Sequence, residues 1–143
     1  MPKSIDITLD KDGKPAGVRI LIVDDHRDTV LTLGILLRSE GYKVELVQSG
    51  DQALLEAEKF RPHVVLLDIE MPGRNGFEVA REMTRRYGDA CPVLIAVTSH
   101  SAEGDRRAAD SSGFHHFVPK PYKPFAMLQL IQDLAAATTR ASP

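Results

Sequence analysis

The stretch V-R-I-L-I-V-D-D, residues 18–25, decides the fold. Its near-continuous apolar run stops abruptly at Asp24 and Asp25. A strand covered on one face alternates apolar with polar residues, whereas a strand covered on both faces reads as an unbroken apolar run. The same reading holds at V-V-L-L-D, residues 64–68, and at V-L-I-A-V-T-S, residues 93–99. Two more strand-like runs are K-V-E-L-V, residues 43–47, rich in β-branched positions, and F-H-H-F-V, residues 114–118.

Helical spacing fills the intervals. Residues 31–37 carry Leu31, Leu33, Ile35, Leu36 and Leu37 and run toward Gly41, a C-terminal glycine signal. Residues 50–60 place Ala53, Leu54, Ala57 and Phe60 on one face, and Pro62 blocks continuation. Residues 76–87 use Phe77, Val79, Ala80 and Met83. Residues 102–111 form a weak, charged helix before Gly113, and residues 125–137 a last helix with Leu128, Ile131, Leu134 and Ala135 inward. Strands alternating with helices imply βαβ crossovers and a parallel sheet covered on both faces. The expected fold is therefore α/β, a doubly wound five-stranded parallel sheet of flavodoxin-like (βα)5 type with strand order 2-1-3-4-5. Ligands in such sheets bind at the carboxyl ends of the strands.

Residues 1–17 differ in character, being polar and turn-rich around D-K-D-G-K-P. Ile5, Ile7 and Leu9 alternate with polar residues, so a short strand is possible, but an interior first strand offers no hairpin position. The expectation is a mobile leader over 1–17, one domain over 18–138 and a short tail over 139–143. A chain of 143 residues suits one domain. Eighteen basic against 20 acidic residues give a net charge of −2, which provides no general affinity for nucleic acid or an anionic membrane. One cysteine, Cys91, excludes an internal disulfide and a cysteine metal site. No apolar run approaches the roughly 18 residues of a membrane span, and no signal-peptide core follows Met1, so a cytoplasmic setting is expected.

The strand ends carry the chemistry. The first stops at Asp24-Asp25, the third at Asp68, the fourth at Thr98-Ser99, and the fifth is followed by Lys120-Pro121. Neighbouring strands bring these groups to one rim. Two unit charges 4 Å apart repel by about 4 kcal/mol at an effective dielectric of 20. Crowded carboxylates therefore share a proton or hold a cation. Hard oxygen donors suit Mg²⁺ or Mn²⁺. His26 is the only histidine adjoining an acidic strand end, and it is not read as a ligand. A single strand-end aspartate is often just a helix N-cap; acids at successive strand ends with Lys120 opposite point beyond capping.

Four segments in order make the pattern specific: I-L-I-V-D-D at 20–25, V-V-L-L-D-I-E-M-P-G-R-N-G at 64–76, L-I-A-V-T-S at 94–99 and G-F-H-H-F-V-P-K-P at 113–121. Over about 120 residues the chain resembles the receiver domain of two-component response regulators, of the stand-alone, CheY-like kind. The resemblance implies that Asp68 is the phosphoacceptor, charged by a histidine kinase or phosphotransfer protein. It implies Asp25 as direct Mg²⁺ ligand, Asp24 as an acidic ligand through water, and Asp68 with the Glu70 main-chain carbonyl completing the protein's share of the shell. Thr98 is similar to the switch hydroxyl, Phe117 to the aromatic switch residue, and Lys120 to the lysine that pairs with the phosphoryl group, with a cis Lys120-Pro121 bond. In that reading Thr98 and its loop move inward when Asp68 is phosphorylated, Phe117 follows, and the face of helix 4, strand 5 and helix 5 changes.

Departures lie beside these positions: His26 after the acid pair, Phe114, His115-His116, and Pro119 before Lys120. Glu70 and His100, two residues beyond Asp68 and Thr98, flank the approach of a hydrolytic water and are candidates for setting the phosphoryl lifetime. The expected function is a phosphorylation-controlled signalling module rather than an enzyme. Its output is by protein contact through the helix 4–strand 5–helix 5 face, as a monomer or weak dimer without nucleic acid or membrane. The chain carries an initial Met and a short leader, and no basic recognition helix follows, which favours a complete small protein. A receiver excised from a hybrid histidine kinase is the alternative. A Mg-dependent aspartyl phosphatase is disfavoured, because D-x-D is missing after the first strand, where His26 stands two after Asp24. Nucleotide binding lacks both glycine-rich phosphate motifs.

Overall fold

The computed structural model describes residues 8–9, 15–99 and 112–136. His100, the helix expected over 102–111, the tail and most of the leader lie outside the described residues. The described elements run in chain order: β1 (Thr8–Leu9), β2 (Pro15–Ala16), β3 (Arg19–Val23), α1 (Arg27–Ser39), β4 (Lys43–Val47), α2 (Gly50–Phe60), β5 (Val64–Asp68), α3 (Gly76–Tyr87), β6 (Val93–Thr98) and β7 (His116–Pro119). A 3-10 turn, Gly88–Ala90, follows α3, and a C-terminal helix spans Pro124–Ala136.

The five main strands lie in the order β4-β3-β5-β6-β7, all parallel, which is the expected 2-1-3-4-5 arrangement. β1 and β2 pair with each other as a separate antiparallel hairpin, Thr8 opposite Ala16. This pairing within the leader is satisfied without any place in the main sheet. β7 begins two residues later than the apolar pattern suggests, because Phe114 leaves the ladder to set its ring edge-on against Phe77, 6.3 Å between centroids.

Alternation along the buried strands divides the core. Ile20 and Ile22 of β3, with Val64, Leu66, Val93 and Ile95, pack against Val30, Leu33 and Leu37 of α1 and Met127 and Ile131 of the C-terminal helix. Leu21 and Val23, with Val65, Leu67, Leu94 and Ala96, pack against Ala53 and Ala57 of α2 and Val79, Ala80 and Met83 of α3. Burying both faces of β3, β5 and β6 is what makes their sequences apolar between the end residues Arg19, Asp68 and Thr98.

Helix ends follow local chemistry. α1 closes with Gly41 at φ 98°, its N–H donating to the Arg38 carbonyl and that of Tyr42 to the Leu37 carbonyl. This paired closure needs the left-handed conformation that glycine adopts without a Cβ penalty. Ser49 Oγ caps α2 by accepting from Gln52 N at 3.1 Å, and Asn75 Oδ1 caps α3 by accepting from Glu78 N at 3.0 Å. Gly76 opens α3 directly over the end of β5. A Cβ there would stand 2.7 Å from the Asp68 carbonyl oxygen and 2.7 Å from Ile69 Cα.

Candidate functional site

Each site residue sits where a strand of the main sheet ends. Asp24 follows β3, Asp68 closes β5 and Thr98 closes β6; they are 4%, 3% and 1% exposed. Lys120 follows β7, where the Lys120-Pro121 bond is cis and Lys120 N donates to the Thr98 carbonyl at 2.7 Å. Its Nζ lies 3.2 Å from Asp24 Oδ2 and 3.3 Å from Asp68 Oδ2, so one ammonium spans two buried carboxylates. The loop after β5 is fixed by Ile69 N donating to the Val97 carbonyl, Gly76 N donating to the Ile69 carbonyl and Glu70 N donating to Asp68 Oδ1.

Burial dominates the electrostatics. It pushes the Asp68 carboxyl up to about 6, against the opposing pull of the Glu70 N–H and the Lys120 ammonium, while Asp24 adds to the rise. Burial alone pushes Lys120 down; the Asp68 and Asp24 carboxylates outweigh it and hold the ammonium above its usual range. A carboxylate pushed toward neutrality in a charged cleft marks a functional-site candidate.

The donor set fits a hard divalent cation. Among the described residues, one ligand atom each from Asp24, Asp25, His26 and Asp68 lie within 4.8 Å of one another. Asp25 Oδ1 is buried with no hydrogen-bond partner. His26 Nδ1 approaches it at 3.1 Å without hydrogen-bond geometry, and the ring itself is 70% exposed. His26 N donates to Asp24 Oδ1 at 2.8 Å, which orients that carboxylate. The structure thus brings together Asp24, Asp25, Asp68 and Lys120 as expected, and adds His26 at the mouth.

Thr98 has an acceptor within the chain. Its side chain is already buried, and Oγ1 donates to Glu70 Oε1 at 2.6 Å. Ser99 N and Oγ donate to the same carboxylate. Phe117, half-buried on β7, packs on the core face that contains Phe114 and Leu94. The Glu70 side-chain contact joins residues 28 apart, a pairing for which a single sequence carries no signal.

A five-stranded parallel sheet with buried acids and a lysine at its carboxyl rim defines a class, and the family comparison identifies it. The model for the response regulator receiver domain matches residues 20–132, and the chain belongs to that family. Among curated proteins it is similar to response regulator MprA of Mycobacterium sp. strain KMS, 39% identical over 126 residues, covering 88% of this chain and 53% of that protein. The chain therefore spans about half the length of the curated relatives it matches. Among solved structures it resembles Vibrio cholerae chemotaxis protein CheY4, with TM-score 0.77, 25% identity, and 83% of this chain and 99% of that chain covered. It also resembles the receiver domain of the Pseudomonas aeruginosa sensor histidine kinase PA1611, with TM-score 0.74, 30% identity, and 85% and 99% covered. That structure carries a magnesium ion coordinated in its active-site cleft.

Proposed function

We propose that this chain is a phosphorylation-controlled signalling module that accepts a phosphoryl group on Asp68 from a histidine kinase or phosphotransfer protein. The observation that carries the reading is Asp68 itself: 3% exposed, pushed toward neutrality by burial, and faced by Lys120 across 3.3 Å. A carboxylate oxygen attacks the phosphorus of a phosphohistidine, the P–N bond breaks, and the imidazole departs and takes a proton from solvent. Asp68 is left as a mixed anhydride that water hydrolyses. Lys120 pairs with the phosphoryl oxygens and Thr98 donates to one of them. Asp25, Asp68 and the Glu70 carbonyl would hold Mg²⁺ or Mn²⁺, with Asp24 acting through water. The bound ion supplies charge neutralisation at the transferring group.

Output runs to a protein partner through the face that includes β7 and the C-terminal helix. Phe125, at the start of that helix, is 72% exposed and supports this reading. No described helix is long and apolar enough to cross a membrane, and the proposed setting is cytoplasmic. What the longer relatives do with the rest of their length belongs to them.

The test is incubation with acetyl phosphate and Mg²⁺ followed by intact mass. The expected result is one added phosphoryl group, lost with Asp68→Asn and lost with chelator. Asp25→Ala should raise the Mg²⁺ requirement more than Asp24→Ala. Phosphorylation independent of metal, or retained in Asp68→Asn, overturns the assignment.

A further inference from the structure

The Glu70 carboxylate occupies the acceptor position on the very hydroxyl that a phosphoryl group on Asp68 must use. Glu70 is placed there by its neighbours. Ile69 N is tied to the Val97 carbonyl at 3.0 Å, so the chain leaves β5 alongside β6 and delivers the next residue opposite the Thr98-Ser99 end. Glu70 N is fixed on Asp68 Oδ1. Its side chain then crosses to β6, where Oε1 accepts from Thr98 Oγ1 at 2.6 Å, Ser99 N at 2.9 Å and Ser99 Oγ at 2.8 Å. Oε2 lies 2.7 Å from Ser99 Oγ.

We infer that Glu70 is an internal competitor for Thr98, holding the Thr98 hydroxyl on its own carboxylate until a phosphoryl oxygen takes the hydroxyl over. This rests on the phosphoacceptor reading of Asp68. A threonine hydroxyl has one hydrogen to donate. Glu70 and the phosphoryl group are both anionic acceptors, so each offers a charge-assisted bond of similar kind. The two bonds exclude each other. Phosphorylation therefore exchanges one anionic acceptor for another instead of gaining a bond from nothing. Glu70 need not leave when it loses Thr98, because Ser99 N and Oγ still hold it. Thr98 and Ser99 are consequently held on a carboxylate before phosphorylation. Glu70 is a positioning residue, acting on the transferred group only through Thr98.

A double-mutant cycle separates this competition from simple charge repulsion. Beryllofluoride with Mg²⁺ serves as the phosphoryl mimic, and its affinity is measured in the full chain for wild type, Glu70→Ala, Thr98→Ala and the double variant. Glu70→Ala should tighten the mimic on the order of tenfold when Thr98 is present, the scale of one hydrogen bond to a charged group. It should tighten it clearly less when Thr98 is absent. Glu70→Gln retains an amide oxygen able to accept from Thr98 and should fall between wild type and Glu70→Ala; it also carries the test if the alanine variant does not fold. Equal factors with and without Thr98, or no tightening, overturn the competition. In the ligand-free protein, a slowly exchanging Thr98 hydroxyl proton should appear by NMR in wild type and vanish in Glu70→Ala. Its absence from wild type overturns the contact itself. A wild type that shows the contact but binds no beryllofluoride instead overturns the phosphoacceptor reading.

Discussion

The two ends of the sheet satisfy their polar groups in opposite ways. At the amino rim, His63 precedes β5 and His115 precedes β7, and each closes the ladder with a neutral imidazole. His63 N donates to the Arg19 carbonyl at 2.8 Å while its Nδ1 accepts from Arg19 N at 3.0 Å. His115 N donates to the Leu94 carbonyl at 2.8 Å and its Nδ1 accepts from Leu94 N at 3.0 Å. At the carboxyl rim the chain instead leaves buried Asp24 and Asp68 sharing one ammonium, and a buried Asp25 oxygen with no hydrogen-bond partner. The amino rim closes without charge crowding: both strand-end amides have acceptors, and among the described residues the polar atom left over there is the neutral Tyr87 hydroxyl, buried beside Arg19 and His63 with no hydrogen-bond partner. The carboxyl rim carries charge that calls for a cation, and that is where the proposed chemistry falls.

The widest separation between the rims comes from paired substitutions. Asp68→Asn should abolish phosphorylation by acetyl phosphate while the far-ultraviolet circular dichroism is kept. His63→Leu should do the reverse: phosphorylation persists, and urea unfolding shows a loss of about 1 kcal/mol, because the part-buried Arg19 N–H is left without its acceptor. A His63→Leu protein that is as stable as wild type would break the comparison.

Lys120→Met sharpens it next. Removing the ammonium leaves Asp24 and Asp68, 4% and 3% exposed, facing each other without a countercharge. Loss of one partner from a buried pair is costly, and about 2–4 kcal/mol is expected in urea melts with chelator present. Adding Mg²⁺ should restore part of that stability, since a divalent cation replaces the missing positive charge. No restoration would argue against a cation among these carboxylates.

Gly76→Ala probes the seam by which the carboxyl rim is attached to α3. The added Cβ meets backbone, 2.7 Å from the Asp68 carbonyl oxygen and from Ile69 Cα, and backbone yields less readily than a side-chain tip. A loss of about 1–3 kcal/mol in urea is expected, with slower phosphorylation, because relief requires displacing the Asp68–Ile69 peptide.

Much of this was legible in advance for physical reasons. Strands buried on both faces cannot hide their apolar runs, so β3, β5 and β6 announced the sheet, and the acids at their ends followed from topology. β7 was placed two residues early, because Phe114 is apolar for packing against Phe77 rather than for strand pairing. The β1–β2 hairpin was not foreseen; it depends on a pairing between two-residue segments too short for periodicity to register. The Thr98–Glu70 bond and the two imidazole closures were also missed. Each is a contact across 21 to 44 residues made by a side-chain atom, and nothing local in the sequence encodes such a partner.

The smallest effect tests the amino rim by pH. Burial, with Arg19 adding to it, holds His63 below the usual histidine range. The folded state therefore favours the neutral ring, whose Nδ1 must keep a lone pair to accept from Arg19 N. With the folded value depressed, the stabilising contribution is fully present above the unfolded value of about 6.5 and is lost as pH falls below it. Between pH 7 and pH 5 His63 therefore works to lower wild-type Tm, against Asp68, whose raised carboxyl favours the folded state as pH falls. His116, lowered by its own burial, contributes in the same sense and stays in place in the variant. His63→Asn keeps an acceptor oxygen for Arg19 N and carries no titrating group. Asp68 is common to both proteins, so the change in Tm from pH 7 to pH 5 should be more negative in wild type than in His63→Asn, the difference being the His63 share alone. Identical slopes in the two proteins would mean that the imidazole at this rim accepts its hydrogen bond at no cost to its own protonation, against the geometry at Arg19.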